Sequence, residues 1–131
     1  MPLSIDSYLG SLPQALSLRS KRTELLASNL ANVDTPNFKA RDIDFRAAMS
    51  KARDGQLAMQ ATQAGHIQNP AVAAGNLPLQ YRVPSQPSLD GNTVDAEVEK
   101  AQFSENAVRY QATLTFLSNK FRSLKATLKG D

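Results

Sequence analysis

Ten positions near the C-terminus constrain this chain most. Residues 96, 100, 103, 107, 110, 114, 117, 121, 124 and 128 alternate spacings of four and three without a slip. They read Ala96, Lys100, Phe103, Ala107, Tyr110, Leu114, Leu117, Phe121, Leu124 and Leu128, and nine of the ten are apolar. Such a repeat, sustained over more than four heptads, marks a coiled-coil seam rather than a merely amphipathic helix. Asp90-Gly91 is a turn dipeptide, and Asn92 or Thr93 is placed to cap. Asp95, Glu97 and Glu99 suit the positive end of the helix dipole, Lys120, Arg122, Lys125 and Lys129 the negative end, and Gly130 the closing turn. The spacing predicts a helix over 95–129, ~52 Å long.

A second helix is predicted over 12–32, ~32 Å long. Ser11 stands as its cap, Pro13 in its first turn and Gln14 at the capping-box position. Leu12, Leu16, Leu26, Leu30 and Val33 form its apolar seam, with Arg19 and Thr23 as the polar members. Leu18 and Leu25 lie on another side. The C-terminal helix also has a second apolar series, Val94, Val98, Ala101, Val108 and Ala112. Paired in one hairpin, the two helices would leave apolar surface in water.

Between them the pattern breaks down. Residues 42–53 suggest a short helix with Phe45, Met49 and Ala52 on one side, and residues 77–84 a short edge strand bounded by prolines. Residues 54–93 hold four of the seven prolines and four of the six glycines. A connection this irregular is expected to order on neighbours. The organisation is thus one mainly α assembly domain in three parts: an N-terminal helical arm (1–33), a junction with an irregular middle (34–93) and a C-terminal coiled-coil helix (94–131). The fold expected is an antiparallel hairpin of the two long helices.

The residues offer no chemistry to place on this frame. Without cysteine, thiol catalysis and cysteine-built zinc sites are excluded. His66 stands alone in the irregular part, and there is no phosphate loop, H-E-x-x-H or G-x-S-x-G. Asp42 and Asp44 read as caps rather than an acid–base pair, so no catalytic, metal or cofactor site is assigned. Lys and Arg exceed Asp and Glu by 15 to 12, but acidic residues interleave with the basic ones and no stacking aromatics accompany them. Arg19, Arg22 and Arg46 therefore read as a solvated face rather than a nucleic-acid surface. No run approaches the ~18 apolar residues of a membrane span, and MPLSIDSYLG has no signal-peptide pattern. A helical adaptor for a single partner and, further off, a small basic nucleic-acid binder stay open beside a structural polymer.

The stretch LASNLANVDTPNFKARDIDF (26–45) narrows these options. It resembles the phrase N-I-A-N-x-x-T-P-G-Y-K-A that ends the N-terminal helix of bacterial flagellar axial proteins, which form the rod, hook and hook-associated structures. Here the phrase stands as Asn29, Leu30, Ala31, Asn32, Val33, Asp34, Thr35, Pro36, Asn37, Phe38, Lys39 and Ala40. Leu replaces Ile, Asn replaces Gly at 37, and Phe replaces Tyr at 38. Asp34 before Thr35-Pro36, DGNTVDAEVE (90–99) and ENAVRYQATLTFLSNKFRSLKATLKG (105–130) are similar to the short proximal-rod members.

The resemblance implies a structural, non-enzymatic subunit of the basal-body rod, polymerising helically around an export channel. It implies export by the flagellar type III apparatus without a cleaved signal, and a final place in the periplasm-spanning basal body. Expected partners are copies of the chain, other rod, ring and export-gate proteins, and no nucleic acid. Asn29, Asn32, Asp34, Thr35, Pro36, Asn37 and Phe38 are then expected to form a subunit-contact elbow. In it Asp34 forms an Asx-type turn, Asn37 takes a positive φ and Phe38 faces outward.

Overall fold

The computed structural model describes residues 5–57, 79–84 and 86–130. A short helix, α1 (Ile5–Leu9), turns at Gly10 (φ 60°) into α2 (Leu12–Ala31). Strand β1 (Arg41–Ile43), helix α3 (Phe45–Leu57), strand β2 (Leu79–Tyr81) and the long helix α4 (Ala96–Lys129) follow. Helices α2 and α4 lie antiparallel. Asn29 meets Glu99, Thr23 meets Asn106, and the Tyr8 carbonyl before α2 accepts from Lys120. The mainly helical hairpin with an irregular middle is the architecture the periodicity predicts. None of its described helices is long and apolar enough to cross a membrane.

The caps explain where the helices start and stop. Asp95, not Asn92 or Thr93, caps α4: its carboxylate accepts from Glu97 N (3.0 Å) and Val98 N (3.2 Å). Gly130 closes the helix at φ 71° and donates to the Ala126 carbonyl. Ser11 holds the cap position of α2 without a side-chain hydrogen bond, and Gln14 makes no capping box. Asp44 caps α3 through Ala47 N (3.0 Å), whereas Asp42 is used elsewhere.

Strands β1 and β2 pair antiparallel in the register Arg41–Tyr81, Asp42–Gln80, Ile43–Leu79. They fold back beside the hairpin, where Leu18, Ile43 and Ala48 form a small core with Leu25, Phe45 and Met49. Residues 43–49 thus pack against α2 of the same chain, while residues 58–78 of the irregular connection lie outside the described set. The side chain of Ala52, like His66, lies outside the described set.

Helix α4 is rolled from its expected orientation by roughly 50°, half the angular step between successive residues. The side facing α2 is 96, 99, 103, 106, 110, 113, 117, 120 and 124, with Glu99 and Asn106 fully buried and Thr113 nearly so. Phe103, Tyr110, Leu117 and Leu124 share that side and are half-buried. The other half of the expected seam turns away: Ala107, Phe121 and Leu128 are exposed and Leu114 half-buried. The cause lies in α2, whose inward side carries Arg19, Thr23 and Asn29 beside its leucines. Buried polar groups need partners, and this roll supplies several of them, although Arg19 Nε and Asn106 Oδ1 find none among the described residues. Asn106 Nδ2 donates to Arg19 O and Thr23 Oγ1, both at 2.9 Å, and Asn29 Nδ2 donates to Glu99 Oε2 at 3.1 Å.

Candidate assembly interface

The elbow after α2 is built from inside the chain. Asn29 is 1% exposed and behaves as a strand partner for β1, donating to Arg41 O (2.8 Å) and accepting from Arg41 N (3.1 Å). It is therefore not a surface for a neighbouring subunit, contrary to expectation, because its amide is consumed in joining α2 to β1 and Glu99. Asn32 donates to Ser28 O (2.8 Å) and accepts from Thr35 Oγ1 (3.1 Å). The turn is held by Asn32 together with Thr35 N to Asn32 O (3.1 Å), where an Asx turn at Asp34 was expected. Asn37 takes φ 61°. Asp34, Thr35, Pro36 and Asn37 are exposed and Phe38 is half-buried.

The segment leading into α4 locks onto this elbow. Asn37 N donates to Asp90 O (2.9 Å), Thr93 N to Phe38 O (3.0 Å) and Ala40 N to Thr93 Oγ1 (2.8 Å). Lys39 Nζ reaches Gly91 O at 2.6 Å. Asn92 Nδ2 donates to the carbonyls of Asn32, Val33 and Thr35 at 3.0, 2.7 and 3.0 Å, satisfying the open C-terminal end of α2. Gly91 has φ 72°, and a Cβ there would sit 2.7 Å from Asn37 Oδ1. Two phrases about sixty residues apart in sequence are thus one structural unit.

A cluster of charges clasps the same end of the hairpin. Arg22 forms a two-pronged bond to Asp42 (2.8 and 2.9 Å) and also donates to Gln102 Oε1 (2.7 Å). Arg82 bridges Asp42 Oδ2 (2.6 Å) and Glu99 Oε1 (2.5 Å). Glu99 is fully buried. Four elements, α2, β1, the end of β2 and α4, meet at these side chains. Arg22 is consequently not part of a solvated basic face, and Arg19 lies 4.4 Å over the ring of Phe45. Sequence reasoning assigned Glu99 to the helix dipole and missed Arg82 and Asn106. The available signal was Glu99, Asn106 and Thr113 recurring at intervals of seven beside the apolar positions Phe103, Tyr110 and Leu117.

Burial alone would raise the Asp42 carboxyl, but hydrogen bonds from Arg22, the Ile43 N–H and Arg82 outweigh it and hold the group below its ordinary value. A depressed folded value means that Asp42 stabilises the fold above its unfolded pKa of ~3.9. That contribution disappears as pH falls from there through the folded value. Asp42→Asn should therefore melt lower than the parent chain at pH 7. The gap should close between pH 4 and pH 2 in a circular-dichroism series.

The outward side of α4 carries what the hairpin does not use. Val98, Val108 and Phe116 are 40, 70 and 62% exposed, and Ala101 and Ala112 are exposed between them. Phe121 and Leu128, at 49 and 86%, continue the column left free by the roll. Near α1, Tyr8, Leu12 and Phe116 line an open groove with Asn119, Lys120 and Ser123. Contiguous apolar stripes of this length on a soluble surface mark association sites.

Comparison with known proteins places this geometry. The family profile described as flagella basal body rod protein matches residues 12–39, which span α2 and the elbow. The flagellar basal body rod protein FlgB of Salmonella typhimurium is 42% identical over 132 residues, covering 96% of each chain. FlgB of Aeromonas hydrophila is 44% identical over 100% of this chain and 99% of its own. The chain belongs to the FlgB family. FlgB of Cereibacter sphaeroides, 46% identical over 94% of both chains, extends the likeness to another organism. For the FlgB fold the profile coincides with the helix and elbow that Asn92 and Glu99 clasp, so the part most typical of rod proteins is here held by residues from the opposite end of the chain. The family is a structural one, of the flagellar basal body.

Proposed function

We propose that this chain is a subunit of the proximal flagellar rod that polymerises helically through the outward apolar stripes of α4, together with the exposed part of the elbow, Asp34 to Asn37. The hairpin is a register-fixed strut, because its inward side is partly polar and specific rather than uniformly greasy. Neighbouring struts cover the stripes, and repeated head-to-tail contacts generate a helix instead of a closed ring. In this reading the α-helical walls surround an export channel and transmit torque along the shaft. The partners are copies of this chain and adjoining rod, ring and export-gate proteins. The subunit reaches the periplasmic space through the flagellar type III apparatus without a cleaved signal.

The observation that carries this reading is the whole-length FlgB likeness of a chain whose longest helix leaves Val98, Val108, Phe116 and Phe121 uncovered. An epitope-tagged copy, supplied to a strain lacking its own FlgB, should restore swimming and co-purify with hook–basal bodies. Intact basal bodies without the tagged chain would overturn the assignment.

A further inference from the structure

Among the described residues, the two-stranded sheet has one closed edge and one open edge. In the ladder Arg82 N donates to Ala40 O, so the pairs 40–82 and 42–80 are the hydrogen-bonded ones. Residues 41 and 81 therefore point their backbone groups away from each other. On the β1 side those groups are taken by the Asn29 amide. On the β2 side the N–H and C=O of Leu79 and Tyr81 and, by the two-residue alternation, Val83 meet no partner among the described residues. The side chains of Leu79, Tyr81 and Val83 are 49, 72 and 86% exposed. An uncovered edge with apolar, strand-favouring side chains is a template for another strand.

The following proline leaves this edge usable. Pro84 has the parity of Arg82, whose amide faces β1, so it removes no donor from the outer side. The edge is also self-complementary. With Tyr81 opposite Tyr81 of a second copy, Leu79 faces Val83 and Gln80 faces Arg82, apolar against apolar and no charge against its like. A slip of two residues one way sets Arg82 against Arg82, like charge against like.

We propose that the free chain dimerises by antiparallel pairing of β2 with β2 of a second copy, making a four-stranded sheet with about six new inter-strand hydrogen bonds. The contact uses a different surface from the α4 stripes. Copies arranged head to tail all point the same way, and a two-fold contact cannot repeat among them. The pairing thus belongs to the chain before assembly, where it covers an adhesive edge.

Sedimentation of the purified full chain should show a monomer–dimer equilibrium with a dissociation constant on the order of 100 µM, as suits a small interface. Tyr81→Pro deletes an outward donor while sparing the β1 ladder, and should sediment as monomer throughout. A second variant does not depend on that strand tolerating proline. The chain has no cysteine, so Tyr81→Cys can be oxidised cleanly. Across the two-fold axis its Cα atoms would stand ~5.5 Å apart, within disulfide reach, and it should cross-link about tenfold faster than an exposed control, Lys100→Cys. Equal cross-linking of the two variants would overturn the proposal, as would a dimer that persists unchanged in Tyr81→Pro. Both measurements use the free chain, so they stand or fall separately from incorporation into basal bodies.

Discussion

Val108→Asp should leave the isolated chain folded and abolish its assembly. Val108 is 70% exposed on the outward side of α4, and a surface change there alters the stability of the free chain by no more than about 0.5 kcal/mol. Between subunits the same carboxylate would lie against the stripe of Val98, Ala101 and Ala112 without a partner. Burying an unpaired charge costs several kcal/mol, and the cost recurs at every subunit of a polymer. Phe121→Asp should behave alike. Swimming in soft agar by a strain carrying either variant should fall to background while the purified protein keeps the parent melting curve. Substitutions at Leu30 or Leu117 separate these effects poorly. Leu117 lies on the side of α4 facing α2 and Leu30 is half-buried, so aspartate there would loosen the hairpin as well as any contact between subunits.

The second large effect is expected at the charge cluster. Arg82→Ala removes the only cation bonded to Glu99 among the described residues and leaves a fully buried carboxylate facing the Asn29 amide. Breaking a buried pair by deleting one partner costs ~3–5 kcal/mol, because the remaining charge is uncompensated. Urea unfolding should show a loss of at least ~3 kcal/mol, a large fraction of the stability of a small domain. Adding Glu99→Gln should recover part of that loss, since the neutral amide no longer requires a counter-ion. A double variant as unstable as the two losses summed would mean that Arg82 and Glu99 are not coupled. The geometry predicts strong coupling at 2.5 Å.

Much of this architecture was legible in residue spacing. Both long helices fall within a residue or so of the expected limits, and Gly130 closes α4 as its position suggested. The short strand, Leu79–Tyr81, lies inside its predicted segment, whereas the short helix, Phe45–Leu57, starts inside its own and runs four residues past its expected end. Asn37 adopts the positive φ anticipated at the position the family phrase gives to Gly. What periodicity could not tell was the roll of α4. A helix with apolar residues on several sides offers more than one seam, and the choice is made by the partner helix. Here Thr23, Asn29 and the Arg19 carbonyl pair with Asn106 and Glu99 of the polar column, while Ala107, Phe121 and Leu128 are left outside and Leu114 is half-buried.

Long-range polar pairs were illegible for a related reason. Arg82 and Asp42 are 40 residues apart, and Asn92 and Asn32 are 60 apart. No local pattern announces such a bond. Asn29 shows the consequence: an asparagine near a helix end is equally compatible with a contact between subunits and with a bridge to β1. Only the fold, which returns β1 alongside α2, makes it the bridge.

The central claim is that the outward stripe of α4 is buried between subunits. It can be read directly because the chain has no native cysteine. Val108→Cys, a near-isosteric change at an exposed position, should react rapidly with a maleimide in the free protein. In purified hook–basal bodies carrying the same variant, the thiol should be protected until the structure is dissociated. Equal labelling of the free and assembled forms would contradict the claim.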